Sequence, residues 1–395
     1  MTVRVALACV ALCAASCASD SPQRAELIGY YAGWTEQGEI DSRRLSAIDY
    51  AFLALEADGS VALAHPGADE ASLARLARMK RDNPALVLFA SVGGWTGSSG
   101  FSDMASDASS RARFIASSLA FLRRYGFDGI DIDWEYPGAI GVACAPGLTC
   151  ERPGDKENFV RLAREMRAAM DGAGRAEGRR YRLTIAAGAD AKFAANSSGP
   201  WLARLAASLD WINLMTYDYH GTWERESNFV APLRADPAGG SDASVDASVS
   251  LFLAEGVPPG KLVPGIAFYG KGWTGCAPGP RGDGLFQRCK DLARPDHEAT
   301  FEFAYLEDEG FLARDGAGEL TRAGRGFERH WSAAASGPWL YEAASGTFIA
   351  YDDERSVRDK AREALRRGLR GVMFWEVSAD RHGVLLRAVA DELGR

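Results

Sequence analysis

The chain has 395 residues, 47% of them apolar and 25% charged, with a formal net charge of -8. That length and balance suit a globular fold with one large core or two domains. The negative charge argues against a sequence-independent grip on nucleic acid, which needs a basic surface.

Residues 1–18 read as an export signal. Met1-Thr-Val-Arg4 precedes a run of small and apolar residues too short to cross a bilayer. Ala14-Ala-Ser-Cys17 resembles a lipobox with Ala where Leu is usual. Two outcomes stay open: a lipid on Cys17 attaching the protein to a membrane, or cleavage after Ala18. Of seven cysteines, Cys9, Cys13 and Cys17 fall in this leader. The other four form two local pairs, Cys144 with Cys150 and Cys276 with Cys289, each bracketing a Gly/Pro-rich loop. This pattern predicts two disulfides formed in an oxidising compartment. A four-thiolate metal site would want C-x2-C or histidine spacing, and neither is present. The five histidines also lack ligand spacing, so no metal and no cofactor is expected.

Short apolar runs then alternate with helical stretches. Strands are predicted at 27–32, 48–54, 85–92, 127–134, 181–187, 211–217, 262–269 and 371–375. Helices are predicted at 68–81, 109–125, 155–170, 244–255 and 354–367, with a closing helix in 380–395. Near-continuous hydrophobic strands separated by amphipathic helices indicate a parallel sheet with crossovers. Eight such units predict an α/β fold of the (β/α)8 TIM-barrel kind, with an open doubly wound sheet as the alternative. Some eighty residues after Tyr269 break the rhythm, first rich in Gly and Pro and then in aromatics. They are too many and too apolar for a loop. The expected organisation is a barrel in two parts, 25–271 and 346–395, with a small α+β subdomain at 272–345 walling the barrel mouth.

The fourth predicted strand carries the most informative pattern. Asp131, Asp133 and Glu135 alternate with Ile132 and Trp134. Side chains at i, i+2 and i+4 of a strand share a face, so three acids line one side. A solvated strand face would show the same alternation. The flanks favour chemistry: a helix ending at Gly126 runs straight into the strand, and Tyr136-Pro-Gly leads out into a loop. Acids at the C-terminal ends of strands are where such barrels hold their active sites. Crowded carboxylates force at least one to keep its proton near neutral pH, which suits general acid catalysis.

Other predicted strand ends supply aromatic and polar groups: Tyr30 and Trp34, Ser91-Val-Gly93-Gly94-Trp95, Met215-Thr-Tyr217-Asp218, Tyr269-Gly-Lys271, and Trp375. Flat aromatic faces beside carboxylates suit sugar rings and their substituents, although a single strand-end Trp more often plugs a barrel. Gly265-Ile-Ala-Phe-Tyr-Gly270-Lys271 imitates a phosphate loop, but Gly272 stands where Ser or Thr must hold Mg²⁺.

Asp128-Gly-Ile-Asp131-Ile-Asp133-Trp-Glu135 resembles the D-x-x-D-x-D-x-E signature of the family 18 glycoside hydrolases, the chitinases. Ser91-Val-Gly-Gly is similar to that family's S-x-G-G motif, and Met215-Thr-Tyr217-Asp218 to its M-x-Y-D motif. The resemblance runs from about residue 27 to the C-terminus. It implies a secreted, monomeric hydrolase acting on chitin or N-acetylglucosamine oligosaccharides. A catalytically silent chitin-binding lectin and an endo-β-N-acetylglucosaminidase are its alternatives. It further implies Glu135 as general acid and the substrate's 2-acetamido group as nucleophile. Asp133 would orient that group while sharing a proton with Asp131. Tyr217 and Asp218 would bond the sugar at the cleavage point, and Trp375 would floor it. Tyr30 and Ser91 would support Asp131. Trp34, Trp95 and Trp223 would stack flanking sugars, and Gly94, Met215 and Tyr269 would line the cleft. Lys271 stands where the family commonly has Arg, and lacks the planar fork of donors that Arg offers.

Overall fold

The computed structural model describes residues 24–395 except 140, 142, 198 and 316–319. The leader and Cys17 lie outside the described residues. Eight of the strands in the described residues close a parallel barrel: β1 (Glu26–Ala32), β2 (Ala47–Leu55), β3 (Val87–Gly93), β4 (Gly129–Asp133), β5 (Arg182–Gly188), β6 (Trp211–Met215), β7 (Leu262–Ala267) and β8 (Gly371–Trp375). Each pairs in parallel with the next, and β8 returns to pair with β1. This closure gives the expected TIM barrel and discards the open sheet.

The approach to β4 shows how local sequence aims the site. Helix Ala108–Tyr125 starts at Asp107, whose side chain accepts from Ser110 N, and ends at Gly126 with φ 71°. That left-handed cap is cheap only for glycine, and it turns the chain directly into the strand. Asp128 then accepts from Leu88 N at 2.8 Å and pairs with Lys80 and Arg179, pinning the start of β4 to β3. The outward face of the segment buries Ile130, Ile132 and Trp134 against the helices. Trp134 is held between Phe101 and Phe159, with ring centroids 5.6 and 5.2 Å away. Burying that face fixes the register, because a slip of one residue would turn the acids into the core wall.

Two predicted strands end earlier than their apolar runs. The run to 217 leaves the barrel ladder after Met215 because Thr216 Oγ1 donates to Gly265 O and accepts from Gly265 N, at 2.7 and 2.8 Å. Tyr217 and Asp218 are thereby freed from the ladder, with Asp218 at φ 53°. The run to 269 breaks at Phe268, whose N donates to Trp375 O. Tyr269–Thr274 then joins a second, antiparallel sheet with Asp291–Leu292, Thr300–Glu302 and Thr347–Ala350. Gly337–Glu342 and Glu328–Ser332 complete it. Trp273, Trp339, Tyr341 and Phe348 form its buried face together with the Cys276–Cys289 disulfide. The second disulfide, Cys144–Cys150, closes a loop after β4.

Candidate active site

Barrel register assembles a polar shell around Asp131. Ser91 in β3 and Thr184 in β5 are its Cα partners on either side. Asp131 is fully buried and accepts from Thr184 Oγ1 (2.7 Å), Ser91 Oγ (2.8 Å), Tyr30 Oη (2.9 Å) and, more weakly, Asn213 Nδ2 (3.4 Å). Burial raises its pKa and the donors work against that rise.

Asp133 is also buried, and its Oδ1 has no hydrogen-bond partner among the described residues. Burial, then Glu135, Asp131 and Asp49, push its pKa well up. All four influences favour the protonated form of this carboxyl.

Glu135 is half-buried beyond the strand end, hydrogen-bonded by Tyr136, and titrates at about 7. Burial is the main cause, with Asp218 and Asp190 adding repulsion. A carboxyl poised there can hold a proton at working pH and release it on demand. Its backbone is set by Ser98, whose Oγ accepts from Glu135 N at 2.9 Å and lies 3.1 Å from Asp133 O. Gly94 N donates to the same carbonyl at 3.0 Å.

The two glycines of β3's end are needed for this approach. Gly93 has φ 109°, and a Cβ there would lie 2.4 Å from Asp133 O. Gly94 has φ 78°, and its Cβ would lie 2.4 Å from the Phe52 ring. Phe52 in turn stacks on Trp375 and Trp34, with centroids 5.9 and 5.8 Å apart. Tyr30 joins this aromatic floor 5.6 Å from Trp375, and Met215 and Tyr217 pack with the same interior cluster.

Tyr217 faces the carboxyls: burial, then Asp133, Asp218, Glu135 and Asp131, raise its pKa. Asp218 has one buried oxygen without a hydrogen-bond partner among the described residues. Burial raises its pKa, while Lys271 and a hydrogen bond from Tyr269 hold it down. Lys271 itself is turned into the inserted sheet, donating to Thr300 Oγ1 (2.8 Å) and Glu298 O (3.2 Å). Its reach toward Asp218 is through charge.

Trp34 and Trp95 are exposed at the rim, 57% and 48%. Trp95 stands 6.5 Å from the Tyr136 ring, edge-on. Trp223 is 63% exposed and folds over Gly221, apart from the aromatic floor. Among the described residues no ring contact or hydrogen bond ties it to the carboxyl cluster.

Several residues of the site escaped the sequence reading: Asp49, Ser98, Thr184, Asn213 and Phe52. Asp49 and Asn213 each interrupt an apolar strand, Ile48-Asp49-Tyr50 and Ile212-Asn213-Leu214, and that interruption is the signal that could have exposed them.

A closed parallel barrel that gathers carboxyls beside an aromatic floor at the C-terminal end of one strand has the arrangement of a barrel enzyme. The chain belongs to the glycosyl hydrolases family 18, which it matches over residues 26–380. It is 35% identical to Chitinase A1 of Niallia circulans, covering 93% of this chain and 58% of that protein. Among solved structures, chitinase ChiW of Paenibacillus superposes with a TM-score of 0.82 at 35% identity, over 94% of this chain and 43% of that one. A Cycas revoluta family 18 chitinase in complex with (GlcNAc)4 gives 0.76 at 28% identity, over 93% and 99% of the two chains. The chain thus spans about half the length of the first two.

Proposed function

We propose that this protein is a chitinase that hydrolyses β-1,4-linked N-acetylglucosamine chains by a retaining, substrate-assisted mechanism. The observation that carries the reading is Glu135, half-buried and titrating at about 7 next to two buried carboxyls. Glu135 protonates the glycosidic oxygen as the bond breaks. The 2-acetamido carbonyl of the same sugar attacks the anomeric carbon, giving an oxazolinium ion that water later opens on the same face. Asp133 bonds the acetamido N–H, and its unpartnered Oδ1 leaves a free acceptor for that purpose. As the positive ring forms, the proton Asp133 shares with Asp131 shifts toward Asp131, whose donors tolerate either state. Tyr217 bonds the acetamido oxygen and Asp218 the reacting sugar, while Trp375 supports its apolar face. Trp34, Trp95 and Trp223 stack neighbouring sugars.

The inserted subdomain, expected at 272–345, is proposed to wall the cleft; its sheet begins at Tyr269 and includes Lys271, and its last strand ends at Ala350. Two disulfides favour an extracytoplasmic setting. Glu135→Gln keeps the shape of the acid and removes its proton. Turnover of N-acetylglucosamine oligomers should fall by about 10²–10⁴-fold with KM little changed. An equally active variant would refute Glu135 as the acid.

A further inference from the structure

The barrel interior holds a further carboxyl for which the mechanism above has no use. Asp49 lies mid-strand in β2, with no exposed surface, on the inward face it shares with Ala47 and Ala51. The interior apolar cluster on this face also contains Ile28, Phe89, Trp211, Val263 and Met373. Interior barrel positions are normally packed with apolar side chains, and a carboxyl there is costly unless it is bonded and employed.

Its bonding is one-sided. Asp49 Oδ2 accepts from Asn213 Nδ2 at 3.0 Å, and Oδ1 has no partner among the described residues. The orientation of the Asn213 amide is fixed independently. Trp211 Nε1 can only donate, and it donates to Asn213 Oδ1 at 3.0 Å. The amide NH₂ must therefore face Asp49, Tyr30 Oη (3.1 Å) and Asp131 (3.4 Å). Tyr30 accepts from Asn213 and passes its own proton to Asp131 at 2.9 Å.

We propose that Asp49 is a positioning residue of the acid row, acting through Asn213 and Tyr30 on Asp131. It works as a neutral acid. Asp131 collects three hydroxyl donors and a share of the amide, whereas Asp49 has the amide as its main donor. Of two neighbouring buried carboxyls, the better-donated one keeps the charge and the other keeps the proton. Burial and the Asp131 charge both push Asp49 in that direction, against weaker opposition from Asn213 and Tyr30. The groups facing this pair are Tyr30 from β1, Ser91 from β3, Asp133 from β4, Thr184 from β5, and Asn213 and Tyr217 from β6 and its end. With Asp49 neutral, negative charge is concentrated on Asp131, directly behind the carboxyl that orients the substrate. The proposal rests on the acid-row reading of the function.

The test compares Asp49→Asn and Asp49→Ala with the wild-type enzyme on N-acetylglucosamine oligomers, recording kcat and KM from pH 4 to 9. Asp49→Asn preserves a neutral acceptor for Asn213, so kcat should stay within about twofold and the pH profile should not move. Asp49→Ala leaves the amide unanchored. The expected result is a kcat about tenfold lower at unchanged KM, with the acid limb moved to higher pH. Wild-type activity in Asp49→Ala, or an acid limb displaced downward in Asp49→Asn, would overturn the proposal. If neither variant folds, carbon NMR of the carboxyls in the wild-type protein decides. A resonance from Asp49 still protonated at pH 7 supports it, and one titrating in the ordinary carboxylate range refutes it. Failure of the underlying reading looks different, as an active Glu135→Gln enzyme.

Discussion

Glu135 should weaken the fold in proportion to its charge, and Glu135→Gln measures that cost separately from catalysis. Burial moves its carboxyl from an ordinary 4.5 to about 7. An acid whose folded pKa lies above its unfolded value binds more protons when folded. Its contribution to stability is then fully present below the unfolded pKa and is lost as pH rises toward the folded one. Integrated over that window, the ionised group costs about 1 kcal/mol at pH 5 and about 3 kcal/mol at pH 8. Removing the charge with Gln recovers this cost, whatever constant penalty the amide brings through its altered bond with Tyr136. The pH-dependent part of the gain, about 2–3 kcal/mol between pH 5 and pH 8, corresponds to about 3 °C in Tm for a chain of this size. The assay is thermal unfolding of both proteins at the two pH values. The variant's Tm relative to wild type should be more favourable at pH 8. An equal difference at both would mean that Glu135 titrates normally in the folded protein, and the argument for a poised acid would fail.

Two further substitutions probe the scaffold behind the acids. Gly93→Ala adds a Cβ 2.4 Å from Asp133 O at φ 109°. Backbone strain and overpacking together should destabilise by about 2–5 kcal/mol, read by denaturant unfolding, and an unchanged midpoint would contradict the close approach. Ser98→Ala removes the hydroxyl that accepts from Glu135 N. It should lower kcat about tenfold with little change in KM, and a rise in KM alone would show that Ser98 serves binding instead.

The acid row was legible because its three members follow one another at strand spacing, and their outward neighbours Ile132 and Trp134 left a single orientation open. The barrel was legible from eight apolar runs. The support of Asp131 was legible only in part: the family resemblance implies Tyr30 and Ser91, which do donate to it, whereas Thr184 and Asn213 join from strands that meet Asp131 only through the closed register. Tyr30 and Ser91 stood out by their place in recognisable strand ends. Thr184 and Asn213 looked like single polar residues in buried strands. Apolar periodicity also overran the ends of β6 and β7, where Thr216 and Phe268 divert the backbone by bonds to other strands. No local pattern marks that diversion, yet it is what frees Tyr217 and Asp218 from the barrel wall. Lys271 was singled out for what it lacks beside Arg, and the structure turns it toward Thr300 and Glu298 O.

The most direct test of the account is the anomeric form of the first product. Proton NMR during hydrolysis of a defined N-acetylglucosamine oligomer, read before mutarotation, should show the new reducing end in the β configuration. An initial α product would mean that water displaces the leaving group in a single inverting step, and the substrate-assisted scheme would be wrong.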